Sequence, residues 1–507
     1  MGRIAVIGAG TGAMAAAARL AVAGHRVVVY ERASTYGGAL GRFERDGFAF
    51  DTGPGLLRVP AVLRDLFVKT GKEPLEACVD LVQVDPSAHH VFADGTEVSL
   101  PNASRAGVVA ALDHALGADA GERWGDFLVR AREAWDRTRR PLLEEPLWPN
   151  WRVLADREPY PAVPRRRLLG TRRAGTLAEV GAWELRDPRL AALLESHALA
   201  YGLDPRVAPA SAAVLPYMEH AFGTWYVRGG MRELARAMYE RCLARKVEFR
   251  FGTAVRRIVE KDGRAVGVEL GEDPSPASGA SSTAVEDADF VVAGVAPGML
   301  ERLLAGTPPH GGDEPAPQRG AASRLTLLLA LRGGRPAGVA HRTVVHTADR
   351  AEELERLFGG RPGLPAAPTV TVTRPDDPGS VPGPEHEAVT VTVTVPAGLR
   401  VSGTDVERVL DATRRAVPDV RERLLWHEVR TPADIAEATG AEGGAVPAPA
   451  LAAASGRLLH PSNGTRVPGL FSVGGWTHPG GGLPHAGMSG ALVAGLIVEG
   501  PEFRGSQ

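Results

Sequence analysis

The chain has 507 residues, 44% of them hydrophobic, and a formal net charge of −2. That length exceeds what one ordinary core serves, so two domains are expected, and the near-neutral balance gives no global reason to expect nucleic acid or an anionic membrane as partner. Two cysteines, Cys78 and Cys242, are too few for a disulfide framework, no Cys/His spacing suggests a metal, and neither a cleavable leader nor an apolar run of membrane-spanning length is evident, so a cytoplasmic protein with reduced thiols is expected.

The chain begins with the most informative stretch, IAVIGAGTGAMAAAARLAVAGHRVVVYER. Arg3–Ile7 reads as a buried strand, 11–23 as a small-residue helix stopped by Gly24, and HRVVVYE as a second strand with Glu31 at its end. Gly8, Gly10 and Ala13 fill the pattern G-x-G-x-x-G/A, with Gly12 as an extra glycine. Gly8 allows the tight turn, Gly10 lets backbone approach a pyrophosphate, and Ala13 permits close helix–strand packing. The helix N-terminus offers free N–H groups and a partial positive charge to phosphates. Glu31 lies 21 residues after Gly10, the right reach for a ribose diol. A glycine-rich turn without a ligand leaves the placement of that acid unexplained, so a dinucleotide is expected.

The following stretch, ERASTYGGALGRFERDGFAFDTGPGLL, adds the pair Gly37-Gly38. It resembles the flavin-binding signature of the phytoene desaturase and amine oxidase superfamily, in which a second glycine pair lies against the cofactor's pyrophosphate. The resemblance implies FAD rather than a nicotinamide cofactor, with Arg32 beside Glu31 among the binding residues. These families usually place Arg directly after the pair; here Ala39 stands there, and Arg42 is the candidate to supply the charge.

Beyond it, 60–70 reads as a helix, and HHVFADGTEVSL as a hairpin around Asp94-Gly95. Residues 104–220 are dominated by helical patterns. They contain a basic cluster of Arg165, Arg166, Arg167, Arg172 and Arg173, read as a solvated loop or as a peripheral contact with anionic lipid. Gly229-Gly230 then precedes a helix carrying Met231, Leu234, Ala235 and Met238, followed by strands at 247–251, 255–260 and 264–270 and a further buried strand in DADFVVAGVAP. This block again resembles the phytoene desaturase-like flavoproteins, where the strand of Val255 contacts adenine through its backbone.

Two Pro/Gly/Ser-rich stretches, 271–287 and 306–322, read as mobile surface insertions. Strands return in RLTLLLALRG, HRTVVHT, PTVTVTR and AVTVTVTVPAG; the last alternates Val and Thr, as a half-buried antiparallel strand does. GTDVERVLDATRRAV reads as a helix capped at Thr404-Asp405, and RTPADIAEATGAEGGAV as a short helix before a glycine pair.

The last segment, PGLFSVGGWTHPGGGLPHAGMSGALVAGLI, reads as a strand at 470–473, a glycine-rich loop, and a helix over about 486–498. It closely resembles the C-terminal signature of phytoene desaturases. The resemblance implies Gly474 and Gly475 beside the phosphate and ribityl region, and Gly482, Leu483 and Pro484 beside the isoalloxazine ring. A helix beginning near Met488 then aims its positive end at the ring. His478, His485 and Trp476 are the candidate catalytic residues: His478 as a structural turn residue or a ring or substrate contact, His485 as a residue that could face substrate. No base is assigned.

The expected fold is α/β: a Rossmann-type FAD-binding domain, discontinuous over 1–75, 221–300 and 456–507, with an inserted α+β substrate domain built from 76–220, mainly helical, and 301–455, an antiparallel sheet. The resemblance implies an FAD-dependent oxidoreductase of the phytoene desaturase kind. Its substrate is then a long apolar isoprenoid or polyene held in an apolar tunnel, taken from a bilayer through peripheral membrane contact, with no metal and no nucleic acid. Hydride leaves an allylic C–H for the flavin, and a proton leaves the neighbouring carbon. The departures Ala39, Trp476 and His485 leave room for flavin-dependent tailoring of a polyketide or other natural product, by oxidation, saturation or redox cyclisation. A flavin-bound partner without catalysis is a third reading. An amine oxidase fits less well, because the C-terminal signature follows the desaturase form.

Overall fold

The computed structural model describes residues 2–164, 170–271, 284–306 and 320–505. Arg165, Arg166, Arg167 and most of the two Pro/Gly/Ser-rich stretches lie outside the described residues.

Five short strands from distant parts of the chain form one parallel sheet, in the order Glu248–Arg250, Arg26–Tyr30, Arg3–Ile7, Phe290–Ala293 and Leu470–Ser472. Both faces of the three central strands are covered, which is why these read as continuous apolar runs and not as alternating ones. On one face Ile4, Val6, Val27, Val29 and Val292 pack with side chains of the helices Thr11–Val22, Met231–Ala244 and Leu483–Val498. On the other, Ala5, Ile7, Tyr30, Val291 and Ala293 pack with Ile258 and Val268 of an antiparallel sheet made of Ala254–Lys261, Arg264–Gly271 and Ala284–Asp287. Each such fully buried Val or Ile contributes roughly 1.5–3 kcal/mol. The strand order reverses around Arg3–Ile7, and the Gly8–Gly12 turn leaves its carboxyl end there, where open α/β sheets bind ligands.

A second sheet has seven strands, in the order Leu424–Arg430, Ala322–Arg332, His386–Pro396, Val370–Thr373, Arg342–Val345, Ala88–Val91 and Glu97–Leu100. Along His386–Pro396 the valines are buried while Thr390, Thr392 and Thr394 are half-buried, as their alternation implies. The hairpin around Asp94-Gly95 extends this sheet through the parallel pairing of Thr343, Val344 and Val345 with His89, His90 and Val91. Helices including Arg105–Leu116, Ala120–Arg139, Pro188–Leu199 and Val214–Phe222 enclose a separate core around Trp124, Phe127, Trp135, Leu193 and Met218.

Two helix starts differ from the sequence reading. The helix Gly403–Thr413 is capped by Ser402, whose hydroxyl accepts from Asp405 N while Asp405 accepts from Ser402 N; Thr404 lies inside the first turn. The last helix begins at Leu483, not near 486 or Met488. Its Pro484 sits in the first turn, where the missing N–H costs nothing and the fixed φ favours helix.

Candidate functional site

Three glycine-rich segments meet at the N-terminus of the helix Thr11–Val22. The turn leaves the first strand through Gly8 at φ +93°, a conformation side chains rarely adopt. Gly10 is the N-cap, with no side-chain cap and no acid in the first turn. A Cβ built on Gly10 meets nothing within 4 Å. Against this turn lies the second glycine pair: Gly37 N donates to Ala9 O at 2.9 Å, and a Cβ on Gly38 would stand 3.0 Å from Gly10 Cα. From the other side comes the C-terminal loop, where a Cβ on Gly12 would stand 3.0 Å from Gly474 Cα. Gly474 has open space on its own Cβ side, and Gly475 packs against Pro447. Ala13 is buried and packs under Gly294 at the end of the neighbouring strand.

Glu31 is aimed by two backbone donors. Its Oε2 accepts from Ala9 N at 2.7 Å and its Oε1 from Ala33 N at 2.8 Å. A carboxylate has lone pairs to spare beyond these, so it can also accept from ribose hydroxyls. Arg32 points elsewhere: its guanidinium donates to Glu437 O on the short helix Pro432–Thr439. Val255 is a buried strand residue paired with Leu270, its side chain in the core with Ile258 and Val268.

Arg42, the candidate for the charge beside the second glycine pair, pairs with Glu44 at 2.7 Å and donates to Gly229 O at 3.3 Å. Arg232 lies against Gly37. It stacks over the Tyr36 ring at 4.0 Å and donates to Tyr36 O and Thr35 Oγ1, and a Cβ on Gly37 would stand 2.8 Å from its Nη1. The Gly229-Gly230 turn carries Arg232 there and is held by two carboxylates. Asp51 Oδ1 accepts from Met231 N at 2.8 Å, and Asp377 Oδ2 from Gly229 N at 2.6 Å and Tyr226 Oη at 2.8 Å. Burial pushes the Asp51 carboxyl up to about 7. Sequence reading missed Arg232, Asp51 and Asp377. The phrase FDTG carried a signal for Asp51, but nothing local marks the other two.

In the C-terminal loop, His478 is fully buried. Its Nε2 meets Glu145 O at 2.9 Å, its backbone N donates to Pro461 O, and its carbonyl accepts from Asn463 Nδ2. Burial lowers its pKa to about 4, so it is neutral. Trp476 is half-buried, with its backbone against His460. The last helix has Gly482 as N-cap at φ +106°, with no side-chain cap and no acid in its first turn. Its first turn offers the free N–H groups of Leu483 and His485; Pro484 has none. His485 is buried and held neutral by that burial, its pKa near 3, and its Nδ1 has no hydrogen-bond partner among the described residues.

Beside Gly482, on the side that His485 Nδ1 also borders, stands a polar array. Tyr201 Cε1 is 3.7 Å from the Cβ position of Gly482, and Tyr201 Oη accepts from Arg58 Nη1 at 3.3 Å. Arg58 and Arg342 both pair with Glu219 at 2.8 Å. Burial raises the Glu219 pKa, but Arg342 and Arg58 outweigh it and hold the carboxyl down at about 2.

The residues present fit FAD. Two uncapped helix N-termini, a backbone-aimed acid and three mutually packed glycine segments leave the open space that a pyrophosphate and a flat ring need. The family of flavin containing amine oxidoreductases matches residues 14–498. A hydroxyneurosporene desaturase of Rhodobacter capsulatus is 29% identical, over 98% of this chain and 97% of its own. A 4,4'-diapolycopene oxygenase of a Methylomonas species is also 29% identical, over 98% of each chain. An oxidoreductase from Methanosarcina mazei shares the fold with a TM-score of 0.63 at 16% identity, over 97% of this chain and 99% of that one. The chain therefore belongs to the flavin containing amine oxidoreductase family and is an FAD-dependent oxidoreductase.

Proposed function

We propose that the chain dehydrogenates a long apolar isoprenoid or polyene. The observation that carries this is the flavin-fitting cradle of three mutually packed glycine segments, in a chain aligned over 98% of its length with relatives named for polyene substrates. The names of the two relatives support a polyene substrate.

When bound, FAD supplies a hydride acceptor. Glu31 would hold the ribose, and the first-turn amides of Thr11, Gly12 and Ala13 the pyrophosphate, with Gly37-Gly38 and Gly474-Gly475 closing over it. Arg232 positions the second glycine pair. Gly482, Leu483 and Pro484 would face the ring, where the positive end of the last helix favours negative charge. His478 is a positioning residue, tied to Glu145. The division into a discontinuous cofactor unit and an inserted substrate unit is part of this reading.

Substrate delivery is proposed to come from a membrane surface. No helix among the described residues is long and apolar enough to cross a bilayer. Trp151 and Val153, on and beside the helix Arg152–Asp156, are 38% and 52% exposed. Of the basic cluster, Arg172 stacks on Trp183 and Arg173 donates to Glu158 O. Replacing Trp151 and Val153 together by serine should reduce sedimentation with anionic lipid vesicles; unchanged sedimentation contradicts this route.

The function is tested by incubating flavin-loaded protein with phytoene or another long isoprenoid hydrocarbon and an electron acceptor. The expected product has lost two hydrogen atoms per oxidised bond and absorbs at longer wavelength. Recovery of every such hydrocarbon unchanged rejects the reading.

A further inference from the structure

Arg58 leaves its strand between two cores. Leu57 on one side is buried with the cofactor sheet, and Val59 on the other with the helical region. Val59 holds φ at +49°, a conformation that β-branched residues rarely adopt, and packing on both sides fixes where the Arg58 side chain emerges. Its guanidinium is held at both ends: Nη2 pairs with Glu219 Oε2 at 2.8 Å, and Nη1 donates to Tyr201 Oη at 3.3 Å. Arg342 pairs with the other oxygen of that carboxylate, also at 2.8 Å. Among the described residues neither arginine pairs with a second carboxylate. His197 stands 3.8 Å from Glu219, but burial holds its pKa down at about 4, so it adds no charge. Arg324, close to the same tyrosine, donates to the carbonyls of Ser323 and Ala200 and pairs with no carboxylate among the described residues. The array thus carries positive charge in excess, which is costly in a buried setting unless an anion stands against it.

The open end of the array points to where that anion forms. The side chains of Arg342 and Glu219 are 6% and 8% exposed, and that of Arg58 is 21% exposed. Tyr201 Cε1 stands 3.7 Å from the Cβ position of Gly482, so the Arg58 guanidinium lies one tyrosine ring from the start of the last helix. We propose that Arg58 sets the redox balance of the cofactor: its charge stabilises the reduced flavin over the oxidised one. This rests on the assignment of the flavin ring to Gly482, Leu483 and Pro484. A hydride brings two electrons and one proton to a neutral ring, so the ring gains one negative charge, and the proton lost from the neighbouring carbon of the substrate goes to solvent. Arg58 and the first-turn amides of the last helix both favour that charge. Arg342 offsets Glu219, which leaves the charge of Arg58 uncancelled.

The test is a potentiometric titration of the FAD-loaded full chain with dithionite, beside a dye of known potential, and it needs no isoprenoid. Arg58→Gln should lower the midpoint potential by about 30 mV, the equivalent of a roughly tenfold loss of preference for the reduced form, with FAD still bound. Arg58→Lys, which keeps the charge, should stay near wild type. Glu219→Gln, which removes the offsetting carboxylate, should raise the potential, and it serves if Arg58→Gln does not fold. A wild-type potential in Arg58→Gln, an equal fall in Arg58→Lys, or a fall in Glu219→Gln overturns the proposal and leaves polyene dehydrogenation standing. The expected shifts in a protein whose flavin no long isoprenoid bleaches overturn the substrate reading and leave this one standing.

Discussion

Arg232 and Arg42 make different contacts around the second glycine pair. Ala39 leaves the second glycine pair without an adjacent cation, and Arg232 reaches the same turn from a residue 196 positions away from Tyr36. It holds the turn by hydrogen bonds and by stacking on Tyr36, so Arg232→Ala should lower FAD affinity by roughly 10- to 100-fold, the range of a lost charged hydrogen bond. Arg42→Ala should change it by less than about threefold, since Arg42 serves Glu44 and Gly229. Flavin titration of the two apo variants checks both, and the reverse order contradicts the assignment. The contrast shows what was legible in the sequence. Gly10, Gly37 and Glu31 were readable because close backbone approach and ribose binding restrict residue type at fixed spacings. Arg232 was not, because a long side chain can reach a turn from any element that packs there.

The closing helix is the element on which the site depends most. Leu483–Val498 packs along Thr11–Val22 so closely that a Cβ on Gly490 would stand 2.6 Å from Gly12 O and 2.7 Å from Ala15 Cβ. Both helices thereby bring uncapped N-termini to one opening. Gly490→Val should separate them, with a stability loss of about 1–3 kcal/mol from overpacking and a loss of bound flavin. Urea unfolding and flavin content measure the two effects, and a variant with wild-type values of both contradicts this packing. The start of this helix was misread because GGGLPHAG resembles a loop by composition. Proline in a first turn and glycine as N-cap are equally consistent with a helix start, and the contact with Gly12 decides between them. The same holds at Ser402, where Thr404-Asp405 offered a plausible cap two residues late and only the paired bonds to Asp405 locate the true one.

At the scale of the whole molecule, the number of buried neutral histidines sets the response to acid. Burial lowers His197, His341 and His478 to about 4 and His346 and His485 to about 3, and it pushes His90 well below its usual range. Unfolded, each takes up a proton near pH 6.5, so between there and pH 4 the unfolded chain binds more protons at these sites. Each then subtracts about 1.4 kcal/mol of stability per pH unit of acidification. Asp51, Glu158 and Glu353 act in the opposite sense: burial raises each to about 7, so they stay protonated in the fold where the unfolded chain has released its protons. The histidines outnumber them, and Tm should fall between pH 6.5 and 5; a flat or rising Tm contradicts that balance. The cofactor half of the fold was legible because glycine spacing and buried parallel strands leave strong patterns. The helical half was legible only as helices, because many apolar residues can fill a helical core equally well. The most direct test of the whole account is anaerobic mixing of the FAD-loaded protein with a long isoprenoid substrate, with the flavin absorbance followed. The account predicts bleaching of the oxidised flavin with dehydrogenated isoprenoid formed in equal amount. A flavin that stays oxidised with every long isoprenoid would contradict it.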